Sequence, residues 1–415
     1  MGRKRVLIVG GGYAGVSAAA LLCCQFEVTL LDPKTFFEPA PMAPHSLVVP
    51  ASAPATLVDF PAAWHPKQGL LVGLTSNGAR GTATLQSGEA REFDYALLAT
   101  GSSYPGAIKP PVDQLTDRAA RLKAVSDVGR QVAAAAAVVV VGGGSVGIEV
   151  AAEVAERFPG KKVTLVCSGG LLERMDGRAR DFAAAWLLKH GVEVLTGERI
   201  SDWGGLGDGA PAPATLRTAS GREISGDIVF KCVGVRPATA LFAGSLSAEQ
   251  RAPNGSIAVE PTLQVRGWRN VFAAGDCTNT PEEKTAAFAG VAATVAAGNI
   301  IVLHAGKELK TYPEGTFGGL LPPMAGGFTL GASAGVLQIG SNVQTGAGPA
   351  KAKGVINWLF ARIAHGSRFW AWLYGNMRVV MVKSMTREAR KAAARKEAAA
   401  AHGTAAVGAA APAAA

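Results

Sequence analysis

The sequence predicts an α/β fold with two parallel strand–turn–helix units and a small C-terminal α+β region. Three observations carry that reading. A short apolar strand near the N-terminus runs into a glycine-rich turn and then a helix, the same plan returns 132 residues later, and both turns have the spacing Gly-x-Gly-x-x-Gly. At 415 residues the chain exceeds what one hydrophobic core usually organises, so two or three domains are expected. With 48% hydrophobic and 17% charged residues it reads as globular rather than disordered, and glycine at 52 positions implies repeated close backbone approaches.

Taken in order, 6–9 is an apolar strand, 13–24 an Ala-rich helix and 27–31 a second strand ending at Asp32. Shorter alternating runs at 69–74, 82–86 and 93–99, divided by Asn77-Gly78 and Ser87-Gly88, predict an antiparallel meander. The second unit begins with a strand at 138–141, continues as a helix to about Arg157 and ends in a strand at 162–167. Strands return over 192–235 around polar loops at 203–213, and Val271–Asp276 leads into an Ala-rich helix reaching about His304. Residues 306–383 form a smaller third region, and 398–415 is an Ala/Gly tail with no means of packing a core. No uncharged apolar run is read as reaching the ~18 to 20 residues of a membrane span.

The five cysteines, Cys23, Cys24, Cys167, Cys232 and Cys277, show neither zinc spacing nor a Cys-x-x-Cys pair, so no metal is expected and a reducing compartment fits. Cys23 and Cys24 read as small packed residues of the first helix. With a strand starting at Arg5 no cleavable leader is expected, and Val6 stands where a myristoylation motif needs Ser or Thr. A cytoplasmic chain is the expectation.

The first fingerprint is Gly10-x-Gly12-x-x-Gly15. Gly10 permits the tight turn, Gly12 lets the backbone approach a pyrophosphate, and Gly15 lets the helix pack on the strand; the helix N-terminus offers unpaired N–H groups to the phosphates. Asp32 then accepts from the adenosine ribose hydroxyls. The second, Gly142-x-Gly144-x-x-Gly147, differs at the acid, because Cys167 and Ser168 stand where Asp32 would. Arg174, Arg178 and Arg180 follow, either as cations for a 2′-phosphate or as solvated helix charges, so the nucleotide is left as NAD(P)H. Two such sites in one chain predict electron transfer between two dinucleotides, FAD at the first and NAD(P)H at the second. Thr100-Gly101 ends a strand where the chain leaves the FAD unit. Gly275-Asp276 opens a helix, where the aspartate either binds the flavin's ribityl or pyrophosphate region or caps the helix. The expected Rossmann-like division is 1–109 with 242–305 for FAD, 110–241 for NAD(P)H, 306–383 facing membrane and quinone, and 384–415 as a basic, then Ala-rich tail.

The runs 6–12, 99–101, 138–145 with Glu149 and Glu153, and 272–276 resemble the pyridine nucleotide-disulfide reductase superfamily. Within it they are similar to the apoptosis-inducing-factor-like and ferroptosis-suppressor group, itself related to type II NADH dehydrogenases. The resemblance spans roughly residues 4–383 and implies a flavoprotein that passes a hydride from NAD(P)H to flavin N5 and then electrons to a quinone. It also implies that Glu149 approaches the nicotinamide and that Lys284 places a positive charge near the isoalloxazine; the plainer readings are a helix-dipole acid and a surface lysine. The cysteine pair of the disulfide reductases is missing from 32–74, so the flavin should serve its acceptor directly. Where the group carries a C-terminal lysine near the flavin, this chain reads Ala364-His365-Gly366, and His365 is either a substitute proton donor or a surface histidine.

Charge is concentrated at the C-terminal end. Residues 351–396 hold eleven basic side chains against Glu388 alone, which accounts for the whole net charge of +10. Trp358, Trp370 and Trp372 lie among them, the mixture an interfacial segment uses against anionic lipid. A peripheral membrane contact at a lipid droplet or plasma membrane is expected, packing of these rings as core being the alternative. Two other readings compete: a soluble reductase of a carrier protein or of monodehydroascorbate, and a basic nucleic-acid-binding or death-effector protein. The segment lacks a nucleic-acid module, so no specific nucleic acid is expected, and the oligomeric state is left open.

Overall fold

Apolar strands that are buried on both faces read as continuous runs of Val, Ile and Leu, and here they form the centres of two sheets. The computed structural model describes residues 2–111, 114, 116–312, 325–367, 369–370 and 373. Its first sheet is parallel in the order Val271–Ala273, Tyr95–Leu98, Arg5–Val9, Glu27–Asp32 and Lys67–Gln68. The second has Val192–Leu195, Lys162–Val166, Ala137–Val141 and Glu223–Lys231 in parallel, continued by antiparallel Ala212–Thr218 and Ile200–Asp202. Each glycine turn leads from a central strand into a helix, Tyr13–Leu22 in one unit and Ser145–Arg157 in the other. The chain leaves the first sheet through Ser102–Ser103 and returns through Arg236–Pro237, and these two segments pair antiparallel.

Three expectations need correction. The meander is built from Leu71–Ser76, Gly81–Leu85 and Ala90–Phe93, while Tyr95–Leu98 belongs to the parallel sheet. The break falls at Asp94, whose carboxylate accepts from the Arg5 N–H at 2.9 Å and pairs with Lys4 at 3.0 Å, tying the corner to the first strand. The second correction concerns Ala286–His304, a 19-residue apolar helix long enough to cross a membrane. It is a core helix instead: it packs along Tyr13–Leu22, and Asn299 within it is buried, donating to the carbonyls of Thr262 and Lys310 at 2.8 Å. The first helix stops at Leu22, so Cys23 caps it and Cys24 is exposed.

The third region is a three-stranded antiparallel sheet, Ala325–Leu330, Ala334–Ile339 and Asn342–Gly346, followed by the helix Ala347–Ala364. It packs against both earlier units. Ala332 N–H and Ser333 Oγ donate to Glu156 on the helix Ser145–Arg157, both at 2.6 Å, while Tyr13 Oη donates to Asn357 at 2.8 Å from the other side.

Candidate cofactor sites and the charged pair between them

The first fingerprint converges with the other expected contacts at the carboxyl ends of the first sheet. Gly10 has φ 103°, and a Cβ there would lie 2.3 Å from the Ala99 carbonyl oxygen; at Gly15 it would lie 1.8 Å from that of Gly10. Both glycines are demanded by the protein itself. Gly12 is not: it is extended, at φ −80° and ψ −165°, and a Cβ there meets nothing within 4 Å. A Cβ at Gly101, where φ is 71°, likewise meets nothing within 4 Å. Gly275, at φ 83°, sits between the N-terminal turns of two helices, 3.4 Å from Ala289 and 3.5 Å from Ala14 measured from an ideal Cβ. Asp32 is buried and accepts from Gly11 N–H at 2.5 Å and Lys34 N–H at 2.7 Å. Thr100 follows the strand end opposite Asp276, which accepts from Ser102 Oγ at 2.8 Å.

The second fingerprint repeats this geometry. A Cβ at Gly142, where φ is 130°, would meet the Cys232 carbonyl oxygen at 2.3 Å, one at Gly147 would meet that of Gly142 at 2.0 Å, and one at Gly144 meets nothing within 4 Å. In both units the middle glycine therefore faces space that a phosphate can fill while helix N–H groups point into it. Two of the three expected arginines are otherwise engaged. Arg174 pairs with Glu283 at 3.0 Å, and Arg178 clasps Asp176 and the Ser341 carbonyl.

The three expected catalytic side chains lie in different surroundings. Glu149 is buried in an ion pair with Lys353 of the C-terminal helix, and also accepts from Thr329 N–H at 2.8 Å. Lys284 is exposed and donates to Thr280 O and Oγ1 at 2.8 and 2.9 Å. His365 is exposed at the end of the helix Ala347–Ala364, 12 residues past Lys353, or roughly 18 Å along the axis. Charge counting missed Lys353, assigning it to the lipid-facing excess; it is turned inward, and only 17% of its side chain is exposed. Its one sequence signal is the four-residue spacing to Asn357, which puts both on one helix face.

A model of the pyridine nucleotide-disulphide oxidoreductase family matches residues 4–290. The chain belongs to this family. It is accordingly an FAD-dependent oxidoreductase with NAD(P)H as co-substrate. Mouse ferroptosis suppressor protein 1 is 32% identical over 77% of this chain and 86% of its own length. Apoptosis-inducing factor homolog A of Dictyostelium discoideum is 29% identical, covering 83% of this chain and 87% of that protein. The sulfide:quinone oxidoreductase of Aquifex aeolicus superposes with a TM-score of 0.68 at 16% identity, over 88% of this chain and 92% of that one, a likeness of fold.

All five cysteines are free, and burial pushes the Cys277 thiol up and that of Cys232 up to about 12. Sequence reasoning also passed over Lys109, which donates to Ser102 Oγ at 2.7 Å and lies 3.7 Å from Asp276, joining the strand exit to the aspartate.

His45 ties the helix Ala43–Val48 to the second unit through Glu153, Nδ1 to Oε2 at 3.0 Å. The hydrogen bond to Glu153 holds the imidazole above its ordinary 6.5 against the opposing effect of burial; Glu156 adds to the rise and Lys353 works against it. A folded value above the unfolded one means that this stabilisation is complete below 6.5 and is lost as pH rises through the folded value. The expected result is a melting-temperature difference between wild type and Glu153→Gln that is largest in acid and shrinks toward alkaline pH. A difference that does not change with pH would contradict it.

Proposed function

We propose that the chain is an NAD(P)H:quinone oxidoreductase that meets its acceptor at an anionic membrane surface. The observation that carries this reading is the two-sided helix Ala347–Ala364. Its inner face reaches the start of the first fingerprint helix: Asn357 bonds to Tyr13, and the Phe360 ring lies 4.5 Å from the Tyr13 ring, centroid to centroid. Its outer face exposes Val355, Ile356 and Trp358, with Arg362 over the Trp358 ring at 5.2 Å and Trp370 and exposed Phe369 beside it. Exposed rings with a cation among them suit headgroup depth. The named relatives include a sulfide:quinone oxidoreductase, in keeping with a quinone acceptor. Much of the expected basic surface, residues 374–396, lies outside the described residues.

In this reading FAD is held by Gly10, Gly12, Gly15, Asp32, Thr100, Gly101, Gly275 and Asp276, and NAD(P)H by Gly142, Gly144 and Gly147. Residues 1–109 and 242–305 make the flavin unit, with 110–241 as the nicotinamide unit. The flavin supplies two-electron chemistry when bound. The protein supplies position and charge. Lys353 fixes the Glu149 carboxylate between the helix Ser145–Arg157 and the C-terminal helix. His365 is then a proton donor at the helix end, where a quinone arrives from the surface, and Lys284 a cation near the flavin edge.

The test compares a short soluble quinone with a long-tailed quinone in anionic liposomes. Trp358→Ser with Phe369→Ser should lower liposome turnover about tenfold and leave short-quinone turnover intact, because only the outer face changes. Equal partition of variant and wild type onto the vesicles would remove the surface from the proposal. Efficient turnover of a carrier protein or monodehydroascorbate, with none of quinones, would replace the acceptor.

A further inference from the structure

We propose that Glu173 is the ribose-reading carboxylate of the second site and makes this chain select NADH over NADPH, an inference that rests on assigning that site to the nicotinamide dinucleotide. The first site supplies the comparison. There the strand-end acid, Asp32, reaches the N–H of Gly11 inside the fingerprint at 2.5 Å. In the second unit Cys167 follows the strand end at Val166, and its thiol donates to Gly169 O at 3.2 Å and offers a ribose no carboxylate.

The following turn restores one. Leu172, at a left-handed φ of 47°, donates from its N–H to Gly143 O at 2.9 Å, folding the turn back onto the fingerprint. A bulky residue adopts that φ only under constraint. The reversal aims Glu173 back over the strand end, where its Oε1 accepts from Gly170 N–H at 2.8 Å. An ideal Cβ on Gly169 would sit 2.0 Å from that same oxygen, so the carboxylate occupies the space of a side chain at 169. Burial first, and then the Glu173 charge, push the Cys167 thiol up, in keeping with a carboxylate close to the strand end.

Of the three arginines that follow, two are committed elsewhere. Arg174 faces Glu283 at 3.0 Å, and Arg178 is bound by both oxygens of Asp176. A ribose hydroxyl can donate to Glu173, whereas a 2′-phosphate meets like charge and finds these two guanidinium groups already paired.

The experiment measures flavin reduction in the full-length holoenzyme with NADH and with NADPH. Wild type should favour NADH by about tenfold or more in kcat/KM, the scale of one hydrogen bond to a charged group. Glu173→Gln keeps the bond to Gly170 through its amide oxygen and removes the charge. It should raise KM for NADH, lower KM for NADPH and shrink the ratio about tenfold with kcat little changed, while Glu173→Asp keeps the preference. Equal use of both nucleotides by wild type, or a ratio that Glu173→Gln does not move, overturns the proposal. If neither nucleotide reduces a flavin that dithionite still bleaches, the assignment of the second site fails and this inference falls with it.

Discussion

Gly12→Val should yield folded, colourless protein. The substitution is tolerated by the chain itself, because Gly12 is extended and the new Cβ meets no residue beyond its chain neighbours within 4 Å. It is not tolerated by a pyrophosphate, which needs that space to reach the N–H groups at the start of the helix Tyr13–Leu22. Losing two hydrogen bonds to charged oxygens costs about 3 kcal/mol, or roughly a hundredfold in flavin affinity. Absorbance near the flavin maximum and a melting curve measure the two halves of the expectation, and full flavin content in the variant would sink the assignment of the first site. Gly15→Ala is the contrasting case: its Cβ would stand 1.8 Å from the Gly10 carbonyl oxygen, so that variant should lose the fold along with the cofactor.

Gly144→Val should keep its colour and lose its response to NAD(P)H. The backbone at Gly144, φ −79° and ψ 176°, suits valine as well as Gly12 does, and the surroundings are equally open. The lesion is confined to the second sheet, so flavin content should match wild type while reduction by NAD(P)H falls by at least about a hundredfold. Dithionite should still bleach the flavin, since it needs no nucleotide site. Release of flavin from this variant, with reduction preserved in Gly12→Val, would mean that the two dinucleotides are reversed.

Both fingerprints were legible in the sequence because everything they require is local. A strand end, a positive φ at Gly10 or Gly142, a helix start and the close approach at Gly15 or Gly147 all fall within six residues, where spacing alone dictates geometry. The acid at position 32 was legible for the same reason, lying at the end of the strand that the helix leads into. Local pattern also gave the two parallel units and the small C-terminal region in their correct order.

The charged centre was decided only by tertiary structure. Glu149 and Lys353 are 204 positions apart, His45 and Glu153 are 108 apart, and Tyr13 and Asn357 are 344 apart; nothing in the local sequence around one names the other. A lysine counts the same in a charge sum whether it faces lipid or a buried carboxylate, so Lys353 was placed on the wrong side of its helix. The strand Tyr95–Leu98 and the helix Ala286–His304 show the same limit for apolar segments. Hydrophobicity fixes that such a segment is buried, but the partner that buries it, a neighbouring strand, a helix or a bilayer, is chosen by the packing of the whole chain.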